Sequence, residues 1–298
     1  INYMTTFDEW LDVKNGANLR GREAPYIGYR FMATPRALAT YVHYDALYEA
    51  YLNACLLLLS VGAPFDPGLP FLRNDAIDKQ TGFAQFGGPH ILSLVTEVAT
   101  RALKAVRYQK YNVHRRCRPE AVGGRLHQLA TLPNGPVKDR LAVLQPMLTR
   151  LSSNAVKLDV ALGDNWLLPM AFPEGSPTHP SYGAGHATVA AACATILKAW
   201  FDHGWTLPFA FEPAADGSTL TDVSGATPPL TVEGELNKVA ANIAIGRNWA
   251  GVHYYSDYIE SFRMGEQIAL GILEEQKICY GETWSMNVPL MDGTVVRI

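Results

Sequence analysis

Apolar positions recur at helical spacing in several long segments of the chain. These segments are residues 36–60, 89–107, 139–158, 186–202, 234–249 and 255–277. The intervening loops are long and rich in Pro and Gly, as in residues 61–88, 169–185 and 207–230. Loops longer than about 12 to 15 residues are often functional. The pattern therefore predicts a mainly α protein, a helical bundle with long functional loops at one end.

Little β structure is expected. Residues 284–298 alternate in the manner of a strand and predict a small hairpin or a tail. With 298 residues, of which 48% are hydrophobic, the chain is long enough to bury one large core. We predict a single domain over residues 1–298. Because the first residue is Ile1 and not Met, we expect it to be the C-terminal part of a longer chain.

Charge and hydropathy narrow the possible partners. The formal net charge of −3 argues against a general nucleic-acid or membrane-surface binder, which would need a basic face. The longest apolar runs, such as residues 54–59, are too short to span a bilayer, so we expect a soluble protein. The compartment stays open, with an extracellular or cell-wall location among the options. An anion site must therefore be a local concentration of positive charge.

The first candidate segment for such a site is residues 110–120, which read Lys-Tyr-Asn-Val-His-Arg-Arg-Cys-Arg-Pro-Glu. Lysine supplies a compact charge, and arginine supplies a planar fork that can grip two oxygens of a tetrahedral anion. The alternative is a solvated cationic face, which is the commoner fate of such runs.

The second segment is residues 173–186, which end in His179-Pro-Ser-Tyr-Gly183-Ala184-Gly185-His186 and lead into an Ala-rich run. Glycines at 183 and 185 let backbone N–H groups approach an anion closely. A helix from His186 would add the positive end of its dipole. The alternative is a Gly/Pro-rich turn that happens to be followed by a histidine.

The third segment reads Arg247-x5-His253-x3-Asp257. An aspartate one helical turn from a histidine can accept the ring N–H, which fixes the tautomer and makes the other nitrogen a better ligand. Taken alone, the segment would favour the alternative of a helix-surface ion pair beside a packed histidine.

In this order, the three segments resemble the signature of the vanadium haloperoxidases and the related acid and lipid phosphatases. The likeness is strongest to the marine algal bromoperoxidases, in the red-algal and cyanobacterial branch. It is carried by Lys110-x7-Arg118-Pro-Glu, by residues 173–182, by Arg247-Asn-x-Ala-Gly-Val-His253 and by the opening residues 5–12. Phosphatases usually have one residue fewer between Lys and Arg. The resemblance implies the helical-bundle fold of that family and one catalytic domain.

The resemblance also implies a vanadate cofactor, with His253 bonded to vanadium and Asp257 orienting His253. The groups that would hydrogen-bond to vanadate oxygens are Lys110, Arg118, Gly185 and Arg247. His186 would be the acid–base residue that deprotonates peroxide. His179 occupies the position of a second histidine that marks bromoperoxidases, and Arg107 occupies a pocket-wall position associated with halide handling.

The implied reaction is oxidation of bromide by hydrogen peroxide to a hypobromous-acid-like species that brominates organic acceptors. The family also forms homo-oligomers. Two rivals stay open: an acid phosphatase that uses His253 as its nucleophile, and a non-catalytic oxyanion-binding or assembly protein.

One departure from the family pattern lies in the second segment, where Ala184 replaces the family's serine two residues before His186. A lost charge-assisted hydrogen bond costs about 1.5 to 3 kcal/mol. We therefore expect weaker vanadate binding or a lower rate.

A second ion is suggested by residues 71–80, where clustered side-chain and backbone oxygens favour calcium. Red-algal relatives use this region in that way. The candidate ligands are Phe71, Arg73, Asp75, Asp78 and Gln80. The alternative is that Asn and Asp here are turn formers.

Overall fold

The computed structural model of the chain describes residues 2–23, 28–72, 81–153, 165–225 and 228–298. Helices dominate it, as predicted. In chain order they are α1 (Phe7–Lys14), α2 (Pro35–Tyr44), α3 (Glu49–Ser60), α4 (Gly88–Tyr108), α5 (Pro119–Thr131), α6 (Pro136–Leu141), α7 (Gln145–Ser152), α8 (Gly185–Trp200), α9 (Val232–Trp249) and α10 (Tyr255–Cys279). A π-helical turn, Gln109–His114, continues α4, and a 3-10 turn, Ala142–Leu144, joins α6 to α7.

Helix α8 is the centre of the bundle. Its residues 187–200 are all buried, and α4, α9 and α10 pack around it. A helix that is apolar on every side must be surrounded by other elements, and the many alanines of α8 let those neighbours approach closely. Its N-terminus points toward the end of the bundle where α4 ends, α9 ends and α10 begins. Four chain segments therefore meet at one end of the molecule.

The segments predicted as residues 89–107, 186–202, 234–249 and 255–277 are confirmed by α4, α8, α9 and α10, with ends that differ by one or two residues. Helix α4 shows why the spacing was informative. Its buried residues Ile91, Leu94, Val95 and Val98 share one face, whereas Glu97 and Arg101 form an exposed ion pair.

Two predicted helices are interrupted. The segment 36–60 divides into α2 and α3 because Asp45 ends α2 in an extended conformation, with φ −63° and ψ 144°. The segment 139–158 divides into α6, the 3-10 turn and α7, and a proline in the first turn of α7 accompanies its restart. Residues 154–158 lie outside the described residues. Hydrophobic spacing alone does not reveal such breaks.

The predicted C-terminal hairpin is present. Strand β3 (Asn287–Pro289) pairs antiparallel with β4 (Val295–Arg297), and Val288 is buried against the main core. A second, unpredicted hairpin joins β1 (Phe211–Pro213) to β2 (Leu220–Asp222) inside the long loop before α9. Among the described residues, no helix combines the length and apolar composition needed to cross a bilayer.

Close packing of α10 on α8 depends on Gly265. An added Cβ there would overlap the Thr188 carbonyl oxygen and lie 2.8 Å from the Ala191 Cβ. We expect Gly265→Ala to lower the free energy of unfolding by roughly 1 to 3 kcal/mol. Gly271→Ala is the matched control, since position 271 is exposed on the same helix and its added methyl meets nothing within 4 Å. Helix propensity should make that control neutral or stabilising by up to about 1 kcal/mol. Thermal melts of both variants test this, and equal melting temperatures would contradict the packing argument.

Candidate oxyanion site

The three cationic segments converge on one cavity of about 580 Å³. It is lined by Leu47, Leu103, Arg107, Lys110, Tyr111, Arg118, His179, Gly185, His186, Arg247 and His253. Most of the predicted site residues are therefore brought together. The exceptions are Asp257, which lies behind His253, and Ala184, which is buried beside Gly185.

Lys110 lies on the π-helical turn that continues α4. This turn ends at Arg115, whose backbone N–H bonds the Lys110 carbonyl at 3.1 Å and whose φ is +47°. The Lys110 ammonium is buried and donates to the carbonyl oxygens of Pro180 at 2.9 Å and Ser181 at 3.2 Å. Because an ammonium has three donors, one remains for a ligand. Burial, reinforced by the charge of Arg118, lowers the pKa of Lys110 to about 7.

Arg118, at the start of α5, ties the second and third segments together. Its Nε donates to the His179 carbonyl oxygen and its Nη1 to the Val252 carbonyl oxygen, both at 2.9 Å. Its Nη1 also lies 3.1 Å from His253 Nε2, and its Nη2 lies 3.1 Å from His179 Nδ1. Burial and then the charge of Arg247 lower the pKa of Arg118 to about 10. The guanidinium is thus fixed on several sides.

The tautomer of His253 follows from its two neighbours. A guanidinium can only donate, so His253 Nε2 must accept from Arg118 through its lone pair. The hydrogen is then on Nδ1, which lies 3.0 Å from Asp257 Oδ2. Burial lowers the pKa of His253 well below its usual value, although the Asp257 hydrogen bond opposes this shift. A neutral imidazole with its Nε2 lone pair toward the cavity is the form that binds a metal.

Asp257 is completely buried and accepts hydrogen bonds from four groups. Besides His253, its donors are Ser181 Oγ, the Tyr254 backbone N–H at 3.1 Å and Arg116 Nη1 at 2.7 Å. Burial alone would raise the pKa of Asp257, but the hydrogen bonds from His253, Ser181 and Tyr254 lower it to about 2. This carboxylate therefore stays ionised.

Ser181 and Arg116 are residues of this site that sequence reasoning missed. The Arg116 guanidinium lies over the rings of Tyr182 and Tyr254, with centroid distances of 5.0 and 5.5 Å. It lies inside the first cationic segment, but nothing in the spacing distinguishes it from Arg115. Only the fold places Arg116 beside Asp257.

The opposite wall of the cavity carries His186 and Arg247. His186 Nε2 lies 2.9 Å from Asp45 Oδ1, a second His–Asp pair that the sequence did not suggest. Burial lowers the pKa of His186, although the Asp45 hydrogen bond opposes this shift. Arg247 Nη1 donates to the Val42 carbonyl oxygen at 2.9 Å. Its buried Nε has no partner among the described residues, so Arg247 keeps donor capacity for a ligand.

Helix α8 begins at Gly185, one residue earlier than predicted, and Ala184 is its N-cap. Ala184 is 2% exposed and supplies no side-chain cap, whereas its backbone N–H donates to Ser261 Oγ at 2.7 Å. Helix N-termini leave backbone N–H groups without intrahelical partners, which suits an anion. A serine at position 184 would serve the helix as well as a ligand.

Arg107 and His179 lie nearer the mouth. Arg107 is exposed in the last turn of α4 and has no ion-pair partner among the described residues. Burial, followed by the charges of Arg118 and Lys110, lowers the pKa of His179 to about 4. A free cation therefore lies at the entrance and a neutral imidazole lies further in.

The suggested calcium site falls almost entirely outside the described residues. Arg73, Asp75, Asp78 and Gln80 are not described, and Phe71 is half-exposed with φ +60°. Within the described ranges, no group of three or more His, Cys, Asp or Glu side chains is arranged to hold a metal ion. Calcium stays a prediction.

The cavity as a whole fits a tetrahedral oxyanion that also accepts one nitrogen ligand. The spare Lys110 donor, the unpartnered Arg247 Nε and the α8 N-terminus supply positive charge and hydrogen-bond donors. His253 Nε2 supplies the lone pair. Such convergence of donors and one ligand nitrogen distinguishes this cavity from an ordinary anion-binding surface.

Comparison with known proteins agrees with this description of the cavity. Residues 158–279 match a family model described as the VCPO second helical-bundle domain. The whole chain is 54% identical to a vanadium-dependent bromoperoxidase of Corallina pilulifera and 53% identical to that of Corallina officinalis, and it covers 51% of each. A solved structure titled as a homohexameric second vanadate-dependent bromoperoxidase from Ascophyllum nodosum matches with a TM-score of 0.79 and 28% identity. The match covers all of this chain and 54% of that one. The chain thus spans about half the length of the curated relatives it matches.

The lowered pKa of Lys110 generates a prediction about anion binding. Lys110 is charged below pH 7 and neutral above it, so anion affinity should fall as the pH rises through about 7. Sulfate is the best probe because its charge is constant in this range. From pH 5.5 to 8.5 we expect sulfate affinity to fall by roughly ten- to a hundredfold, the value of one charge-assisted hydrogen bond. Calorimetric titration measures it. The Lys110→Met variant should bind weakly at every pH, and a variant that kept the wild-type pH profile would assign the effect to another group.

Proposed function

We propose that this chain belongs to the vanadium haloperoxidase family, that its cavity binds vanadate and that the protein oxidises bromide with hydrogen peroxide. The observation that carries this proposal is the position of His253 Nε2, an acceptor at the wall of a cavity that carries four cationic side chains. Vanadium would take the lone pair that accepts from Arg118 Nη1. The names of the relatives support the same activity. The product would be a hypobromous-acid-like species that brominates organic acceptors.

The proposed ligand set follows the donor geometry. His253 would bond vanadium through Nε2, and Asp257 would hold that ring by accepting from Nδ1. The donors to the vanadate oxygens would be Lys110, Arg118, Gly185 and Arg247. Bound vanadate would supply a Lewis acid that activates peroxide without changing its oxidation state.

The remaining steps belong to the protein's own residues. His186 Nε2 is engaged by Asp45, so Nδ1 is the atom that would take a proton from hydrogen peroxide. Because burial, assisted by the nearby cations, keeps the pKa of both cavity histidines low, each would be neutral and able to accept a proton or donate a lone pair. Arg107 at the mouth would attract bromide.

A phosphatase would use the same cavity, with His253 Nε2 attacking phosphorus. The seven residues between Lys110 and Arg118 favour the peroxidase over that alternative. The His186–Asp45 pair is arranged for proton transfer, which a purely anion-binding protein would not require.

Two further properties belong to this proposal. We infer a homo-oligomer, because the solved structure with the same fold is a homohexamer. We also keep calcium as a second ion at residues 71–80, from the oxygen-rich sequence alone.

The deciding experiment compares two reactions of the same preparation. Peroxide-dependent bromination of a phenol dye should require added vanadate and should be suppressed competitively by phosphate. Hydrolysis of an aryl phosphate should be absent or minor. Dye bromination that is independent of vanadate, or phosphate hydrolysis without bromination, would reject the proposal.

Substitutions of the two cavity histidines should have different effects on vanadium retention and on turnover. We expect His253→Ala to lose both vanadium and turnover, because the bond to the protein is gone. His186→Ala should retain vanadium and lose roughly a hundredfold or more in turnover, as expected for a positioned acid–base group. Elemental analysis after gel filtration and dye bromination measure the two properties, with His203→Ala as a control outside the cavity. Equal loss of vanadium in both variants would contradict this division of roles.

Ala184→Ser should tighten vanadate binding by about 1.5 to 3 kcal/mol if the hydroxyl meets a charged oxygen. Because position 184 is the N-cap of α8, the serine should also stabilise the vanadate-free protein by about 1 kcal/mol. Vanadate titration and thermal melts of the vanadate-free protein separate these effects. A higher melting temperature with unchanged vanadate affinity would mean that the hydroxyl serves only the helix.

A further inference from the structure

A second cavity, of about 380 Å³, adjoins the oxyanion cavity. Leu47, His186 and Arg247 line both. The second cavity differs in charge, because its wall also carries Asp45, Glu174 and His43. The sign of the local charge therefore changes across His186, from cationic on the oxyanion side to acidic on the other.

We propose that Glu174 and His43 form a proton relay that exchanges protons between solvent and His186 by way of Asp45. This inference rests on the proposed function, since it concerns the acid–base residue of that reaction. Neither Glu174 nor His43 touches the vanadate cavity. They are relay residues and not catalytic residues.

The inner half of the relay is the His186–Asp45 pair. Its two side chains are 17% and 4% exposed, and they are joined by a contact of 2.9 Å between Nε2 and Oδ1. Asp45 is the point where α2 ends, and this residue lines the second cavity as well as contacting His186. A proton that reaches Asp45 can therefore pass to His186 Nε2 without entering the cationic cavity.

The outer half is the Glu174–His43 pair. Its side chains are 43% and 21% exposed, and Glu174 Oε1 lies 3.0 Å from His43 Nε2. The His43 ring is held by stacking on Phe172, with a centroid distance of 3.7 Å, and by an edge contact with Tyr44. Burial would raise the pKa of Glu174, but the His43 hydrogen bond lowers it. The pair thus connects bulk water to the second cavity, which has room for water molecules that bridge to Asp45.

The chemistry moves protons at His186. Hydrogen peroxide must lose a proton before it reacts, and the oxygen that leaves as water must gain one. Overall, bromide, hydrogen peroxide and one proton from solvent give hypobromous acid and water. Two electrons pass from bromide to peroxide, the O–O bond breaks and an O–Br bond forms. Positive charge on Arg107, Lys110, Arg118 and Arg247 attracts bromide but repels hydronium and protonated buffers. The carboxylates of the second cavity attract hydronium and protonated buffers and repel bromide.

The proton path has defined atoms. When peroxide binds, its proton goes to His186 Nδ1, while the hydrogen on His186 Nε2 passes to Asp45 and leaves through cavity water and the Glu174–His43 pair. When the O–O bond breaks, a proton returns by the same route to Nε2, and the proton on Nδ1 goes to the oxygen that leaves as water. The oxidised bromine product takes its own proton from solvent, so His186 ends as it began, with its hydrogen on Nε2.

The test uses Glu174→Gln and His43→Gln in the vanadate-loaded protein. We expect each to lower kcat by roughly ten- to a hundredfold, with the bromide KM and vanadium retention unchanged. Small buffers such as imidazole, added at constant pH and ionic strength, should restore much of the lost kcat. Glu97→Gln is the matched control, because Glu97 is an exposed, ion-paired carboxylate on α4, and it should show neither loss nor rescue.

The outcomes are distinguishable. Wild-type protein without bromide oxidation would reject the proposed function itself. An active wild type whose two relay variants keep full kcat at low buffer concentration would overturn the relay. Loss of vanadium in both variants, without buffer rescue, would assign these residues a structural role and would also overturn it.

Discussion

The site depends on one buried carboxylate. Asp257 is completely buried, yet four donors surround it, and the hydrogen bonds from His253, Ser181 and Tyr254 keep its pKa at about 2. An unpaired charge in that position would cost several kcal/mol. With its donors in place, Asp257 fixes the tautomer of His253, and that choice turns the Nε2 lone pair toward the cavity. On the other side of the ring, Arg118 Nη1 can only donate, so the two contacts agree on which nitrogen carries the hydrogen.

The two His–Asp pairs use opposite ring nitrogens to contact the aspartate. His253 meets its aspartate through Nδ1 and faces the cavity with Nε2, whereas His186 meets Asp45 through Nε2. In both, the carboxylate lies behind the ring and the cations lie in front of it. Several buried cations would be costly in a confined cavity, and the two carboxylates offset part of that charge from the rear. A bound anion would offset the rest. The net positive charge that remains in the cavity therefore favours an oxyanion.

The parts that were predictable from the sequence are those set by local pattern. Helices α4, α8, α9 and α10 have continuous apolar faces, and the three cationic segments have fixed spacing, so both were recognised. Asp45 was missed because an apolar pattern runs through it without a break, although the chain turns out of the helix there. Arg116 and Ser181 were missed because their roles come from contacts across 141 and 76 residues of sequence. Residues 73–80, with the suggested calcium ligands, stay at the level of a sequence prediction.

Helix α8 links the fold to the proposed chemistry. Its neighbours must approach it closely for it to lie at the centre of the bundle. The small side chains of its alanines, and Gly265 on α10, allow this close packing. Because its N-terminus is held at the centre, Gly185 and His186 are fixed relative to three other helices. His186 consequently forms a wall between two cavities of opposite charge. An anion can approach His186 through the cationic cavity, and a proton can approach it through the acidic cavity. Neither then has to pass through a region whose charge repels it. The same helix that makes the core compact would thereby separate the two charged participants of the proposed reaction.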